Sequence, residues 1–92
     1  MDFEWDETKA LANLRKHGVS FAEASTLFGD PLELTIADPD HSHGEFRFLS
    51  LGRSHAGRLL VVAYTERDHH IRIISARPAT SREIQCHEAG RF

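Results

Sequence analysis

The sequence predicts an α+β fold: two N-terminal helices packed on an antiparallel sheet of about four strands, with a third helix at the C-terminus. Three observations carry this. Helix-capping residues and helical spacing are confined to Asp6–Gly29 and Thr80–Gly90. Between them, from Leu32 to Arg77, the apolar period shortens to that of strands. The two strongest apolar runs, Arg58–Glu66 and His70–Arg77, are separated by a turn-length gap, which predicts a hairpin. Helices segregated from a run of strands define a two-layer α+β domain.

The elements follow in order. Phe3-Glu4-Trp5 alternates and can form a short strand. Asp6 reads as an N-cap, with Glu7 favourable in the first turn. Ala10, Leu11 and Leu14 have helical spacing, Lys16 and His17 suit the C-terminal end, and Gly18 supplies a left-handed cap. Ser20-Phe21-Ala22-Glu23 is a capping box that opens a second helix, with Phe21, Ala24, Leu27 and Phe28 as its buried stripe and Gly29 at its end. Leu32–Ala37 and Glu45–Leu51 read as strands, joined by the turn-rich segment 38–44. Residues 52–57 form a loop before the hairpin. Thr80-Ser81-Arg82-Glu83 is a second capping box, opening a helix that Gly90 ends.

At 92 residues the chain is a single domain, residues 1–92, large enough for one modest core. Hydrophobic residues at 40% and charged residues at 27% fit a globular protein and not a disordered one. No apolar run nears the ~20 residues of a membrane span, and the acidic start, Met1-Asp2-Phe3-Glu4, does not read as a secretion signal. The single cysteine, Cys86, fits a reducing cytoplasm. The net charge of −3 argues mildly against nucleic acid, but its distribution is uneven. Lys9, Arg15 and Lys16 are the only lysines or arginines before residue 46, whereas the eight from Arg47 onward are all arginine. Arginine suits bidentate contacts to phosphate.

With Asp68-His69 as a two-residue turn, Arg67 opposes His70 and Thr65 opposes Arg72, so these four side chains share one face. Tyr64 and Glu66 fall on the other face, near Ile71 and Ile73. Arg47 on the preceding strand can join the basic face. The arrangement reads either as a platform for RNA phosphates or as an ordinary solvated sheet face, and a one-residue slip would reverse it.

The pieces also resemble a known family in order. Phe3-Glu4-Trp5-Asp6, Lys9, Asn13 and Lys16-His17-Gly18-Val19-Ser20-Phe21 resemble the N-terminal signature of BrnT (DUF497) toxins. Phe28-Gly29-Asp30-Pro31 resembles the end of their second helix. Tyr64-Thr65-Glu66-Arg67 and Ile71-Arg72-Ile73-Ile74-Ser75-Ala76-Arg77 resemble their hairpin, and Thr80, Arg82 and Glu83 the start of their last helix. The resemblance implies a RelE-like fold and a type II toxin that cuts RNA to halt translation without a metal or cofactor. It also implies a BrnA-like ribbon-helix-helix antitoxin that binds operator DNA, with the toxin as a homodimer or in a hetero-oligomer. Three departures stand out: Cys86-His87-Glu88 where the family commonly carries an aromatic residue, Pro78 where a basic residue is usual, and Ile84 in place of arginine. They remove positive charge and aromatic surface. They leave a second possibility, a toxin-like binding module acting mainly through its antitoxin complex.

Metal-free RNA cleavage needs a stabilised phosphate and groups that move protons. Arg77 and Arg67 are the candidate phosphate stabilisers. His17 and Glu66 are the candidate acid–base groups, each with a structural alternative: a helix cap for His17 and a hairpin ion pair for Glu66. Lys16, Arg47, Arg72 and Arg82 are candidate RNA contacts. Trp5 and Asp6 read as structural. His41 and His43 lack the spacing of a zinc site, and His43 is instead placed to reach the sheet face. Cys86 reads as an inert thiol.

Overall fold

The computed structural model describes residues 2–38 and 45–92. Its elements run β1 (Asp2–Glu4), α1 (Glu7–His17), α2 (Phe21–Thr26), a 3₁₀ turn (Leu27–Gly29), β2 (Leu34–Ala37), β3 (Arg47–Arg53), β4 (Leu59–Arg67), β5 (His70–Pro78) and α3 (Ser81–Ala89). The α+β class holds, but the sheet has five strands in the order β1-β5-β4-β3-β2. The expected short N-terminal strand joins it as β1, parallel to β5, so the sheet is mixed and not purely antiparallel.

The caps behave as their chemistry requires. The Asp6 carboxylate accepts from the Lys9 N–H at 3.1 Å, and Gly18 takes the left-handed conformation at φ 69°. At α2 only half of the expected capping box forms. Ser20 Oγ accepts from the Glu23 N–H at 3.0 Å. The Glu23 carboxylate turns away to Arg58, whose Nε donates to it at 3.0 Å. Thr80 and Glu83 form the complete box. Strand β3 runs two residues further than the sequence suggests and includes Gly52. A Cβ there would lie 3.1 Å from the Leu27 side chain, so glycine lets the strand pass close beneath the 3₁₀ turn.

One face of the sheet carries the core. Leu60, Val62, Tyr64, Ile71, Ile73 and Ala76 pack against Val19, Phe21, Ala24 and Leu27. Trp5 packs edge-on to Phe21 with ring centroids 6.0 Å apart. The apolar residues of α1 do not all turn inward: Leu11 is 55% and Leu14 45% exposed, while Asn13 is buried. Its amide explains this. Asn13 Nδ2 donates to Ala76 O at 2.8 Å, and its Oδ1 accepts from Ala76 N at 3.1 Å. Strand β1 pairs with β5 only at residues 70–72, so beyond them Asn13 acts as a one-residue stand-in for the missing strand. Nδ2 also donates to Val19 O at 2.9 Å, tying together α1, the α1–α2 loop and the sheet.

Candidate functional site

The β4–β5 hairpin settles which residues share the second face. Asp68 and His69 both adopt positive φ, 46° and 70°, forming the mirror-image turn that matches strand twist. Arg67 pairs with His70 and Thr65 with Arg72, in the expected register. Thr65 also pairs with Arg47 on β3, and Arg72 with Glu4 on β1. One rung across four strands therefore reads Arg47, Thr65, Arg72, Glu4.

Further down the hairpin a bulge intervenes. Tyr64 pairs with Ile73 but Ala63 pairs with Ser75, leaving Ile74 as an extra residue. Strict alternation would put Arg77 on the same side as Ile71 and Ile73. The bulge reverses the parity, and Arg77, paired with Val61, joins the face of Arg72 and His70. The floor between the two ends is the rung Leu49, Ala63, Ser75. Beside it α3 packs on β3, and Leu51, Val61 and Ala63 are buried. The second face is thus open toward the hairpin tip and closed by α3 toward Arg77.

Each arginine of this face meets a carboxylate, but the contacts differ in kind. Arg77 Nη1 and Nη2 donate to the two Glu83 oxygens at 2.7 and 2.9 Å. This bidentate pair, the largest influence, holds the Glu83 carboxyl down at about 2 despite partial burial, and Thr80 N–H adds to it. Arg67 makes a similar fork to Glu45 at the exposed tip, with Nε at 2.6 Å. Arg47 Nε lies 3.5 Å from Asp38 and Arg72 Nη1 lies 3.8 Å from Glu4, both beyond good hydrogen-bond length. His70 Nδ1 is 3.8 Å from Asp2.

The expected site residues therefore divide. Arg47, Arg67, Arg72 and Arg77 share the open face, but Arg67 and Arg77 stand about 20 Å apart along β4–β5, six residues at ~3.3 Å each. They do not form one phosphate clamp. Glu66 pairs with Ile71 and belongs by parity to the covered face. It meets Arg67, His69 and His70 at the rim of a 540 Å³ cavity around the turn. His17 and Lys16 sit in the helix layer at the C-terminal end of α1, which supports the capping reading of His17. Gly18 O beside them accepts from Arg58 Nη2 at 3.1 Å. Arg82 is exposed in the first turn of α3. His41 and His43 lie outside the described residues.

Sequence reasoning placed His70 and Thr65 on this face but gave neither a role. It also missed the pair between His87 and Asp30. His87 Nε2 lies 3.2 Å from Asp30 Oδ2, and both side chains are over 90% buried. Asp30 also accepts from Arg53 N–H at 2.7 Å, so His87 fastens α3 to the end of β3. Here His87 serves the fold in the stretch where an aromatic residue was expected. Cys86 is a free thiol of intermediate burial.

Fold and site together define a small α+β domain with one face covered by the N-terminal helices and a second face that carries four arginines, each beside a carboxylate. The family profile described as "Ribonuclease toxin, BrnT, of type II toxin-antitoxin system" matches residues 5–83. The chain belongs to this BrnT family of ribonuclease toxins. Its fold is similar to that of the Brucella abortus ribonuclease toxin, BrnT, solved by crystallography at 1.1 Å. That likeness has a TM-score of 0.65 at 23% identity and covers 88% of this chain and 99% of that one. No curated protein matches the chain.

Proposed function

We propose that the chain is an endoribonuclease toxin whose open sheet face binds RNA and cleaves it without a metal. The observation that carries this reading is the shared orientation of Arg47, Arg67, Arg72 and Arg77, in a hairpin register that puts a histidine beside them. In such cleavage the ribose 2′-oxygen attacks the adjacent phosphorus while the bond to the 5′-oxygen breaks. One proton leaves the 2′-hydroxyl and one reaches the departing oxygen. Arg72 is placed to hold the phosphate, because its contact to Glu4 at 3.8 Å is loose, and Arg47 shares its rung. His70 lies one rung away on the same face and is better placed than His17 or Glu66 to move protons. Arg77 is committed to Glu83 and acts on the position of α3.

A BrnA-like ribbon-helix-helix antitoxin is the partner this reading calls for, reaching operator DNA on the toxin's behalf in the cytoplasm. Kinship with RelE-type toxins accompanies it. Leu11 and Leu14, exposed on α1 beside Trp5 and Ala10, offer an apolar surface for a protein contact.

The decisive variant is Arg72→Ala. It should lower RNA cleavage by about 10²–10³-fold, the usual effect of removing one transition-state donor. It should relieve growth arrest on expression while the circular dichroism spectrum is unchanged. Full cleavage by a folded Arg72→Ala protein would move the active site elsewhere. A wild-type protein that binds its antitoxin but leaves RNA intact would favour the binding module instead.

A further inference from the structure

The cavity at the β4–β5 turn has a volume of 540 Å³, within the range of small-molecule sites, and is lined by Glu66, Arg67, Asp68, His69, His70 and Ile71. Ile71, only 3% exposed, gives it one apolar wall. Two features of its lining serve no purpose in the fold. The first is the Glu66 carboxylate. Other carboxylates along this end of the sheet are engaged: Glu45 with Arg67, Glu4 with Arg72 and Asp2 with His70. Glu66 makes no hydrogen bond or ion pair among the described residues, although Arg67, His69 and His70 line the same cavity. Arg67 is held away from it by the fork to Glu45. The second is His69. Asp68 and His69 are the only non-glycine residues with positive φ among the described ones. Glycine adopts the φ of 70° found at His69 without strain, and it is the residue this turn type prefers there. The chain instead keeps an imidazole at a strained position on the cavity wall.

We infer that this cavity receives one unstacked RNA base and selects guanine, with the Glu66 carboxylate on the base edge and the His69 imidazole against its ring. An ionised carboxylate only accepts hydrogen bonds, through two oxygens side by side. Guanine is the one RNA base whose Watson–Crick edge offers two adjacent N–H donors, at N1 and N2. Adenine and cytosine set a ring acceptor beside their amino donor, and uracil flanks its single donor with carbonyls. Stacking on an aromatic side chain, histidine included, is how single-stranded RNA bases are held while their edges are read. Arg67 and His70 line the cavity and also belong to the open face, so a base in the cavity leaves its phosphate on the side of His70 and Arg72. This rests on the reading of the open face as the RNA site and names the base taken beside it.

The test titrates the purified full chain with each of the four ribonucleosides, which carry no phosphate and so probe the cavity apart from the arginines. Binding is read from backbone amide shifts. Guanosine should bind about tenfold more tightly than the other three, the discrimination of one two-pronged base contact, with shifts centred on residues 66–71. Glu66→Gln places a donor beside an acceptor, which matches adenine, and should move the preference from guanosine to adenosine. His69→Gly should raise the Tm by about 2–6 °C through relief of the turn, yet weaken guanosine binding at least fivefold through loss of stacking. Equal binding of the four nucleosides, or shifts that map away from the turn, overturns the inference. So does a His69→Gly protein that gains stability and keeps its guanosine affinity. RNA cleavage is scored separately. Guanosine binding that depends on Glu66 in a chain that never cuts RNA upholds the cavity and removes the nuclease reading. Cleavage with no preference for guanine beside the cut keeps the nuclease and removes the cavity.

Discussion

The two ends of the open sheet face carry the same chemistry to different effect. At the α3 end Arg77 and Glu83 meet in a two-pronged pair, with Glu83 also capping the helix. Every terminal nitrogen of that guanidinium is engaged, so the pair locks α3 to β5. About 13 Å away, four residues up β4, Arg72 faces Glu4 at 3.8 Å, too long for a strong hydrogen bond. The buried Thr65 hydroxyl in the same rung has no hydrogen-bond partner among the described residues. Charge alone does not distinguish the two ends. The quality of the hydrogen bonds does: a saturated guanidinium belongs to the fold, and an unsaturated one is available to a ligand.

Exchanging the two arginines for alanine breaks the comparison most sharply. Arg77→Ala leaves Glu83, with its side chain only 17% exposed, without its partner. It should lower the unfolding free energy by about 1–3 kcal/mol in urea titrations, less than for a fully buried pair because Arg77 is partly solvated. Its effect on RNA cleavage should follow the loss of folded protein. Arg72→Ala should do the reverse, with little change in stability. Equal losses of activity per folded molecule would place Arg77 among the residues that touch RNA.

Acid titration sharpens the same contrast with a smaller effect. The Glu83 carboxyl is lowered from 4.5 to about 2, chiefly by the Arg77 hydrogen bonds. A lowered carboxylate stabilises the fold above its unfolded value, and that contribution disappears as pH falls through the folded value. Stability should therefore decline between about pH 4.5 and pH 2, by about 1–2 kcal/mol once solvent screening is counted. Tm measured against pH should show this step in the wild type and a weaker one in Glu83→Gln. An identical profile in the two proteins would mean that the pair does not hold α3.

The smallest effect concerns Glu4, the carboxylate beside Arg72 at the other end. Glu4→Gln removes the carboxylate facing Arg72 and should tighten oligoribonucleotide binding by about two- to fivefold, on the order of one exposed ion pair. The Tm should stay unchanged. Weaker binding in this variant would show that Glu4 orients Arg72 for RNA and does not compete for it.

Local chemistry accounts for how much of this was legible. The helix ends were readable because a cap is a contact between near neighbours: Asp6 with Lys9, Ser20 with Glu23, Thr80 with Glu83. The hairpin register was readable because a two-residue turn leaves one pairing open to its flanks. Membership of the BrnT family was legible in motifs spread along the chain. The candidate site is half legible: the sequence puts Arg47, Arg67 and Arg72 on one face, whereas the fold disperses the four candidate catalytic groups, with Arg67 and Arg77 at opposite ends of that face, Glu66 on the other face and His17 at the end of α1.

What the sequence determined by itself was the α+β class, the order of its elements and the face of the hairpin near its turn. These depend on periodicity and on contacts within a few residues. Only the tertiary structure decided three things. It placed β1 beside β5, a parallel pairing of segments 68 residues apart, as in Asp2 with His70. It buried Asn13 in place of Leu11, because the open edge of β5 needed an amide. And it turned Arg77 onto the open face through the extra residue at Ile74. A bulge changes no residue type and leaves no period to read, yet it inverts the parity of everything beyond it. For that reason the open face, on which the proposed chemistry rests, could be read with assurance only as far as Ile73.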